Sequence, residues 1–363
     1  MKNLLRLLLK SQHQRNRSEL AQSEKGMTLV ELLVGAIMAF LIITPMLGFV
    51  VDMLNTDRRE QVKSNTEQDI QAAVDFIAQD LSQAIYIYDN STTVGVPALV
   101  AGSFIPSPTT TNGAPILVFW KRQQLKNSLP IVAGALPKSC ADNTPLNGAG
   151  ACNDTYVLSL VAYYQVRGGP GIWCQPSGNP CPTRIVRYQI QDGLRDPAQS
   201  TAPDPANRYF ADADLKNPDT QKRSDAFNIG TTIAAGFDIS RPTENVTRPN
   251  VAWDRIDVLV NYIDHGTAPA FTGTECTTAL GNPTTQTGTT TSPILEGTLK
   301  VTDTTTNINS FYACVDTQRN LARVTIRGNS LRRIQTDADY APNKSAYFPT
   351  ATVQVEGLGG RGN

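Results

Sequence analysis

Residues 26–51 read GMTLVELLVGAIMAFLIITPMLGFVV and decide how the chain is built. The last twenty of these residues, 32–51, carry no charge, and a helix of that length rises about 30 Å, the thickness of the hydrocarbon core of a bilayer. Six basic and two acidic side chains precede them in residues 1–26. By the positive-inside rule, this basic end stays in the cytoplasm. We therefore predict a single membrane-spanning helix, with the body of the chain outside the cytoplasm.

A cleaved secretory signal peptide is the first alternative for this segment. Such a signal has a shorter apolar region, and a small-residue cleavage site follows it. Here residues 52–57 read DMLNTD, so that an acidic residue directly follows the apolar run. The segment is therefore expected to stay on the mature protein.

Glu31 is the single charged residue between Met27 and Val51. A carboxylate in the middle of a membrane costs on the order of 2.5–3.5 kcal/mol on insertion scales, and less near the end of a span. Taken alone, Glu31 fits the interfacial edge of an ordinary anchor. The residues around it favour an assembly role instead.

These residues resemble the class III signal of type IV pilins and pseudopilins, with a basic leader, Gly26, the sequence MTLVE at 27–31, and the apolar run directly after it. The resemblance implies that a prepilin peptidase cuts between Gly26 and Met27 on the cytoplasmic side and then methylates the amine of Met27. It also places Glu31 at the position whose glutamate serves subunit assembly in this family. Met27 departs mildly from the family, in which phenylalanine is commoner at the first mature position, and the leader of 26 residues is long.

Elementary electrostatics gives Glu31 the same role. Cleavage leaves a primary amine on Met27, four residues before Glu31 in the sequence. In a bundle of packed membrane helices, the carboxylate of one subunit can neutralise the amine of a neighbour, whereas an unpaired charge in hydrocarbon is expensive. Glu31 is therefore predicted to be an assembly residue and not a catalytic one.

A helical pattern continues past the apolar run. Apolar residues recur at spacings of four, three, four and four residues, at Ile70, Val74, Ile77, Leu81 and Ile85. This spacing places them in one stripe of an α-helix. We predict one helix over about residues 28–86, with the stripe packed on a sheet and polar residues such as Asp80 on the other faces.

Two further features of this helix lead to expectations. Pro45 and Gly48 should kink or locally melt it, because proline lacks an amide donor. Charged residues follow the apolar run, and they would contact lipid head groups or neighbouring subunits, or else form a solvated surface: Arg58, Arg59, Glu60 and Lys63.

The chain changes character at about residue 90. Short β-branched and aromatic runs alternate with Pro, Gly, Asn and Ser, at residues 116–120, 156–166, 184–190, 255–263 and 322–326. Alternating runs of this kind are typical of half-buried antiparallel strands. The predicted fold class is α+β, with a long N-terminal hydrophobic helix packed on an antiparallel β-sheet head that carries long, disulfide-stapled loops.

The predicted organisation has four parts. A leader peptide covers residues 1–26, a transmembrane and assembly helix covers 27–54, a periplasmic amphipathic helix covers 55–89, and a β-rich globular head covers 90–363. Residues 322–333 resemble the late strand of large minor pilins of the PilW type. An edge strand with a charged outer face is the other interpretation of the same residues.

Two stretches of the head read as long loops. Residues 191–226 hold seven aspartates with several prolines, which makes a calcium site conceivable. Their spacing matches no EF-hand, and this favours a solvated acidic loop. Residues 267–291 hold eleven threonines and predict a flexible, exposed segment that does not contribute to a core.

The six cysteines all follow the membrane segment, at Cys140, Cys152, Cys174, Cys181, Cys276 and Cys314. An even number confined to the exported part indicates disulfides formed in an oxidising compartment. Six cysteines allow fifteen pairings. The compact choice joins neighbours in sequence: Cys140–Cys152, Cys174–Cys181 and Cys276–Cys314.

Composition and motifs argue against a nucleic-acid-binding protein and against an enzyme. The net charge is zero, whereas a nucleic-acid-binding protein usually has a basic surplus. The sequence has two histidines, His13 and His265. There is no Cys-x-x-Cys, Gly-x-Ser-x-Gly, Walker or His-Glu-x-x-His motif, so no metal, cofactor or catalytic residue is predicted. His265 is read as a surface or satisfied histidine. Five aromatic residues could form a sugar platform, although most of them are expected to pack in the core: Tyr163, Tyr164, Trp173, Tyr188 and Trp253.

The resemblance implies a structural role and its partners. These are other pilins or pseudopilins, the prepilin peptidase, the inner-membrane assembly platform with its cytoplasmic ATPase, the membrane itself and, for the secretion role, polysaccharide. The head size and the cysteine-bearing insertions look most like the pseudopilins of cyanobacterial hormogonium polysaccharide secretion, which support gliding motility. The alternatives are a type IV minor pilin for adhesion or DNA uptake, a minor pseudopilin of type II secretion, and an anchored glycan-binding or hydrolytic protein that never polymerises.

Overall fold

A computed structural model of the chain describes residues 28–102, 104–105, 113–141, 150–168, 174–178, 181–227, 255–287, 289–304, 308–336 and 338–358. The chain divides into two compact units, Met1–Arg58 and Arg59–Asn363. We call the second the globular unit. Its helical and antiparallel sheet elements confirm the predicted α+β class, with a long apolar helix at the start of the described residues.

Helix α1, Leu29–Leu81, is this long helix. It continues through Pro45 and Gly48, so the expected local melting does not occur. Transmembrane-type helices tolerate proline where the surrounding residues keep the rest of the backbone hydrogen-bonded. By length and composition, it is the one helix among the described residues that could cross a membrane.

Two antiparallel sheets form the framework of the globular unit. Strands of the first are β1 (Ala84–Tyr88), β2 (Gly113–Pro130), β3 (Cys152–Arg167), β4 (Thr183–Gln191) and β5 (Arg255–Ile263), in that spatial order. Strands of the second are β8 (Lys300–Val301), β9 (Phe311–Asp316), β10 (Leu321–Arg327) and β11 (Thr350–Glu356), in the order β11-β10-β9-β8. A hairpin is formed by β6 (Thr284–Thr287) and β7 (Thr290–Pro293). All five predicted strand runs lie in strands.

Short helices connect these strands. The α-helices are α2 (Val96–Ala101), α3 (Pro218–Gln221), α4 (Glu275–Ala279) and α5 (Glu296–Leu299). The 3₁₀ helices are Pro137–Ser139, Pro197–Gln199, Pro205–Arg208, Asp212–Asp214, Leu331–Arg333 and Pro342–Tyr347.

The helix ends earlier than predicted. Residues 84–88, AIYIY, form strand β1 and pair with β2, so Ile85 belongs to a strand and not to the helical stripe. The run is β-branched and aromatic, and the cross-strand partners of β2 favour it in a sheet. Periodicity alone could not separate the two, because Ile85 also lies four residues after Leu81.

The stripe itself packs as predicted. Ile70, Val74, Ile77 and Leu81 are fully buried and belong to one core with residues of both sheets. The approach is close where Gly328 follows β10, since a Cβ there would overlap Cδ1 of Ile70. A larger residue at position 328 would therefore force the side chain of Ile70 to shift.

Strand β10 is internal, which corrects the edge-strand interpretation. It pairs with β9 on one side and with β11 on the other, over its full length on the second side. Its alternate residues Ala322, Val324 and Ile326 are buried in the core. Charged residues that alternate with buried ones show that one face of the strand is exposed. They do not show whether the strand lies at the edge or in the interior of the sheet.

All six cysteines are paired, and the pairing is the compact one: Cys140–Cys152, Cys174–Cys181 and Cys276–Cys314. The third bond joins the threonine-rich stretch to β9. Cys276 is fully buried with Leu280 and Leu299 in a small core of its own, so the prediction that residues 267–291 form no core is wrong. Threonine content concealed one helix and one hairpin, and the disulfide joins the helix to β9 of the second sheet.

The acidic stretch 191–226 is also folded. Asp196 and Asp204 each accept a backbone amide hydrogen bond at the start of a 3₁₀ helix, at 2.9 Å. Asp192 is buried and accepts from the hydroxyl of Tyr209 at 2.8 Å. The solvated-loop prediction is therefore wrong for Asp192, whereas Asp204 is exposed as predicted and caps a 3₁₀ helix. Among the described residues, no group of three or more His, Cys, Asp or Glu side chains could hold a metal ion.

Candidate assembly site

The first turn of α1 is the candidate assembly site. Thr28 stands directly before the helix, and its hydroxyl oxygen accepts a hydrogen bond from the amide of Glu31 at 3.3 Å. Thr28 and Glu31 thus have the spacing of a capping box, in which the cap side chain satisfies an amide of the first turn. The carboxylate of Glu31 is exposed and lies where the helix dipole favours a negative charge. Sequence analysis missed this cap, although the Thr-x-x-Glu pattern signals it.

Gly26 and Met27 lie outside the described residues, and so does the predicted cleavage bond between them. Thr28 is the first described residue, and the helix begins at Leu29. Glu31 therefore lies within the first turn of the helix and close in sequence to the amine that cleavage would create. The hypothesis that Glu31 of one subunit pairs with the Met27 amine of a neighbour requires both groups to lie at the same end of the helix.

The apolar segment, residues 29–54, is exposed along its whole length within the protein. Its large apolar side chains are each 49–86% exposed, including Leu29, Phe40, Phe49 and Leu54. A run of this size without cover is costly in water, because burial of apolar area is favourable by about 25 cal/mol per Å². The segment therefore requires an apolar surrounding, either lipid or other helices. This property alone makes it a candidate anchor, without indicating which membrane or which orientation.

Charged residues become frequent after the apolar segment. Arg58, Arg59 and Glu60 are exposed, and Lys63 lies 4.0 Å from Glu60 in a solvent-accessible pair. Exposed pairs of this kind contribute little to stability, about 0–1 kcal/mol. The solvated-surface interpretation therefore accounts for these residues within a single chain.

The end of α1 is fixed by a buried charge cluster, which we call the Asp80 cluster: Asp80, Lys121, Tyr163 and Arg187. Asp80 Oδ1 accepts from Lys121 Nζ at 2.7 Å, and Oδ2 accepts from Arg187 Nε and from the Tyr163 hydroxyl, both also at 2.7 Å. The partners come from β2, β4 and β3, so one carboxylate ties the helix to three neighbouring strands.

All four side chains of this cluster are buried. Burial by itself raises the pKa of Asp80, but the positive charges of Lys121 and Arg187 outweigh it, so that this pKa lies below its ordinary value. Asp80 is thus an anion inside the protein, and its prediction as a residue on an outward face is wrong. No sequence signal announced it, because the residues that neutralise it are 41 and 107 positions away.

The remaining candidates are structural where they are described. His265 is mostly buried, and its Nε2 lies 3.0 Å from Asp339 Oδ1, whereas its Nδ1 is buried without a hydrogen-bond partner among the described residues, so the satisfied-histidine interpretation holds for one ring nitrogen only. Tyr163 and Tyr164 are fully buried, and Tyr188 packs edge-on against Tyr164 with ring centroids 5.0 Å apart. They do not form an exposed sugar platform. Trp173 and Trp253 lie outside the described residues.

The chain was compared with protein-family models, with curated proteins and with solved structures, and none of them matches it.

Proposed function

We propose that the protein is a structural pilin-like subunit, a pseudopilin or minor pilin. In this proposal a prepilin peptidase removes residues 1–26 and methylates Met27, and the exposed helix then enters a filament related to type IV pili or type II secretion. The assembly platform and its cytoplasmic ATPase supply the energy. Before cleavage and assembly, the protein spans the inner membrane once, with its leader in the cytoplasm and its globular unit in the periplasm.

The observation that carries the proposal is the pairing of an uncovered apolar helix with one acid in its first turn. The apolar side chains of residues 29–54 are exposed and call for lipid or neighbouring helices. Glu31 is the single charge in residues 28–51. It follows Met27, whose amine the proposed cleavage would create, by four positions in the sequence. Helix capping alone would also place an acid at this position, so the proposal rests on the acid together with the leader, Gly26 and the apolar run that directly follows.

The size of the globular unit suggests where in a filament the subunit belongs. It spans residues 59–363, and two sheets and three disulfides build it. A unit of that bulk is difficult to repeat at the close spacing of packed helices. We therefore favour a low-abundance subunit, such as one at a filament tip, in a machine that supports polysaccharide secretion and gliding motility.

A deletion strain tests the secretion role. Without the protein, we expect exported polysaccharide and gliding to be lost, because an incomplete filament cannot drive export. The wild-type chain should restore both, whereas a Glu31→Ala chain produced at the same level should restore neither. Staining of exported polysaccharide and tracking of single filaments or cells measure the two effects. Normal polysaccharide together with loss of adhesion or DNA uptake would instead support the type IV minor pilin alternative.

A further inference from the structure

A polar cavity lies in the globular unit between the end of β4 and residue 225. Its volume is about 550 Å³, within the range of small-molecule sites. Residues 193–212 form one side, and residues 221–225 form the other. Sequence analysis treated this stretch as a loop, and no step of filament assembly uses the cavity.

The walls of this cavity are held in place before any ligand arrives. The amide of Leu194 donates to the carbonyl of Gln221 at 2.8 Å, which joins the two sides. Asp192 accepts from the Tyr209 hydroxyl at 2.8 Å and from Arg195 Nε at 3.3 Å, and so fixes the ring of Tyr209. A Cβ on Gly193 would lie 2.7 Å from Cβ of Arg223, which shows that the two sides of the cavity are closely packed at these residues. A site built in advance loses less conformational entropy on binding.

Charges in the lining are balanced. Two acids, Asp212 and Asp225, face two bases, Lys222 and Arg223. Lys222 Nζ lies 3.1 Å from Asp212 Oδ2, so these two charges already neutralise each other. A strongly anionic or cationic ligand would compete with this exposed pair, whereas a neutral ligand would leave it in place. The lining therefore fits a neutral ligand.

The remaining groups of the lining combine hydrogen-bonding edges with apolar surface. Gln199 and Asn207 offer amide donors and acceptors at exposed positions of the rim. Leu194, Tyr209 and Phe210 give a partly aromatic, more buried surface. A sugar ring presents hydroxyl groups along its edge and C–H groups on its faces, and it requires this mixture of partners.

We propose that this cavity binds a neutral oligosaccharide of two to three sugar units. The inference deepens the proposed function, on which it rests for its biological setting, since a subunit of a polysaccharide-secreting machine meets such ligands. The chemistry of the cavity is independent of filament assembly. Binding and processing are therefore measured separately.

The test uses the full chain in a polyoxyethylene detergent, whose head group contains no sugar. Neutral gluco-, manno- and galacto-oligosaccharides of two to four units are titrated by calorimetry and by saturation-transfer NMR, beside trigalacturonate and inorganic phosphate. We expect at least one neutral oligosaccharide to bind about tenfold or more tightly than the charged probes. Absence of binding by every neutral oligosaccharide at millimolar concentration, or a preference for a charged probe, would overturn the proposal.

Variants locate the binding. Ala206→Trp should fill the rim of the cavity, and Asn207→Ala should remove an amide, so each is expected to weaken binding about tenfold. Asp219→Ala is the matched control, because Asp219 is exposed on the same stretch but does not line the cavity. Equal thermal unfolding midpoints show that the variants fold. Unchanged affinity in both cavity variants would place any binding elsewhere and contradict the proposal. Absence of oligosaccharide binding would not affect the proposed cleavage at Gly26–Met27. Absence of cleavage would likewise not affect the binding measurement.

Discussion

Glu31→Ala is expected to remove the protein from sheared filaments, with at least a roughly tenfold loss, while the membrane-inserted pool keeps its normal level. The substitution makes the first turn more apolar, so insertion should not suffer. What it removes is the carboxylate that would neutralise the amine of Met27 on a neighbouring subunit. Without that partner, the amine stays charged among packed helices, which costs several kcal/mol. Immunoblots of sheared and membrane fractions measure the two pools.

Two variants complete this experiment. Glu31→Gln keeps the size of the side chain and removes its charge, and it should fail to assemble as the alanine variant does. Glu60→Ala removes an acid from the exposed pair with Lys63 and should assemble normally. Wild-type amounts of the Glu31→Ala chain in filaments would sink the assembly role of Glu31. The non-polymerising anchored protein would then be the better account.

Asp80→Ala is expected to lower the free energy of unfolding of the globular unit by about 3–5 kcal/mol, the usual cost of breaking a buried ion pair by removal of one partner. The loss leaves Lys121 and Arg187 as buried cations without their shared anion. Urea unfolding of the full chain in detergent, followed by tryptophan fluorescence, gives the number. Asp75→Ala is the matched control, since Asp75 lies on the exposed face of the same helix, and it should change stability by about 0.5 kcal/mol or less.

The pH dependence of this effect has a definite sign. In the folded protein the pKa of Asp80 is lowered, so its ion pairs stabilise the fold above the pKa of an unfolded aspartate, about 3.9. The contribution is lost as the pH falls through the folded-state pKa. The difference in stability between wild type and Asp80→Asn should therefore be largest near neutral pH and shrink below about pH 4. A difference that stays constant down to acid pH would show that the carboxylate charge is not what stabilises the cluster.

Local patterns predicted the parts of the fold that are governed by local chemistry. The stripe from Ile70 to Leu81 and the five strand runs follow from periodicity, because one buried face imposes it on the sequence. The disulfides follow from the pairing of cysteines that are neighbours in sequence, 12, 7 and 38 residues apart. The prediction failed at Ile85, which fits both the helical stripe and a β-strand. The pairing of β1 with β2 places this residue in the strand.

The other failures concern residues whose partners are distant or whose signal is short. Asp80 looks like any polar residue of a helix, since its partners lie on three strands that only the fold brings together. The stretch 191–226 did carry a signal, because Asp196 and Asp204 each precede a proline, the usual order of a cap and a first helical residue. Aspartate directly before proline therefore reports a helix start in addition to a surface charge.

The most direct test of the account is the intact mass and N-terminal sequence of the protein isolated from its native membranes. Cleavage by a prepilin peptidase predicts a chain that begins at N-methylated Met27 and has lost residues 1–26. A chain that still begins at Met1 would contradict the account and leave an ordinary membrane-anchored protein.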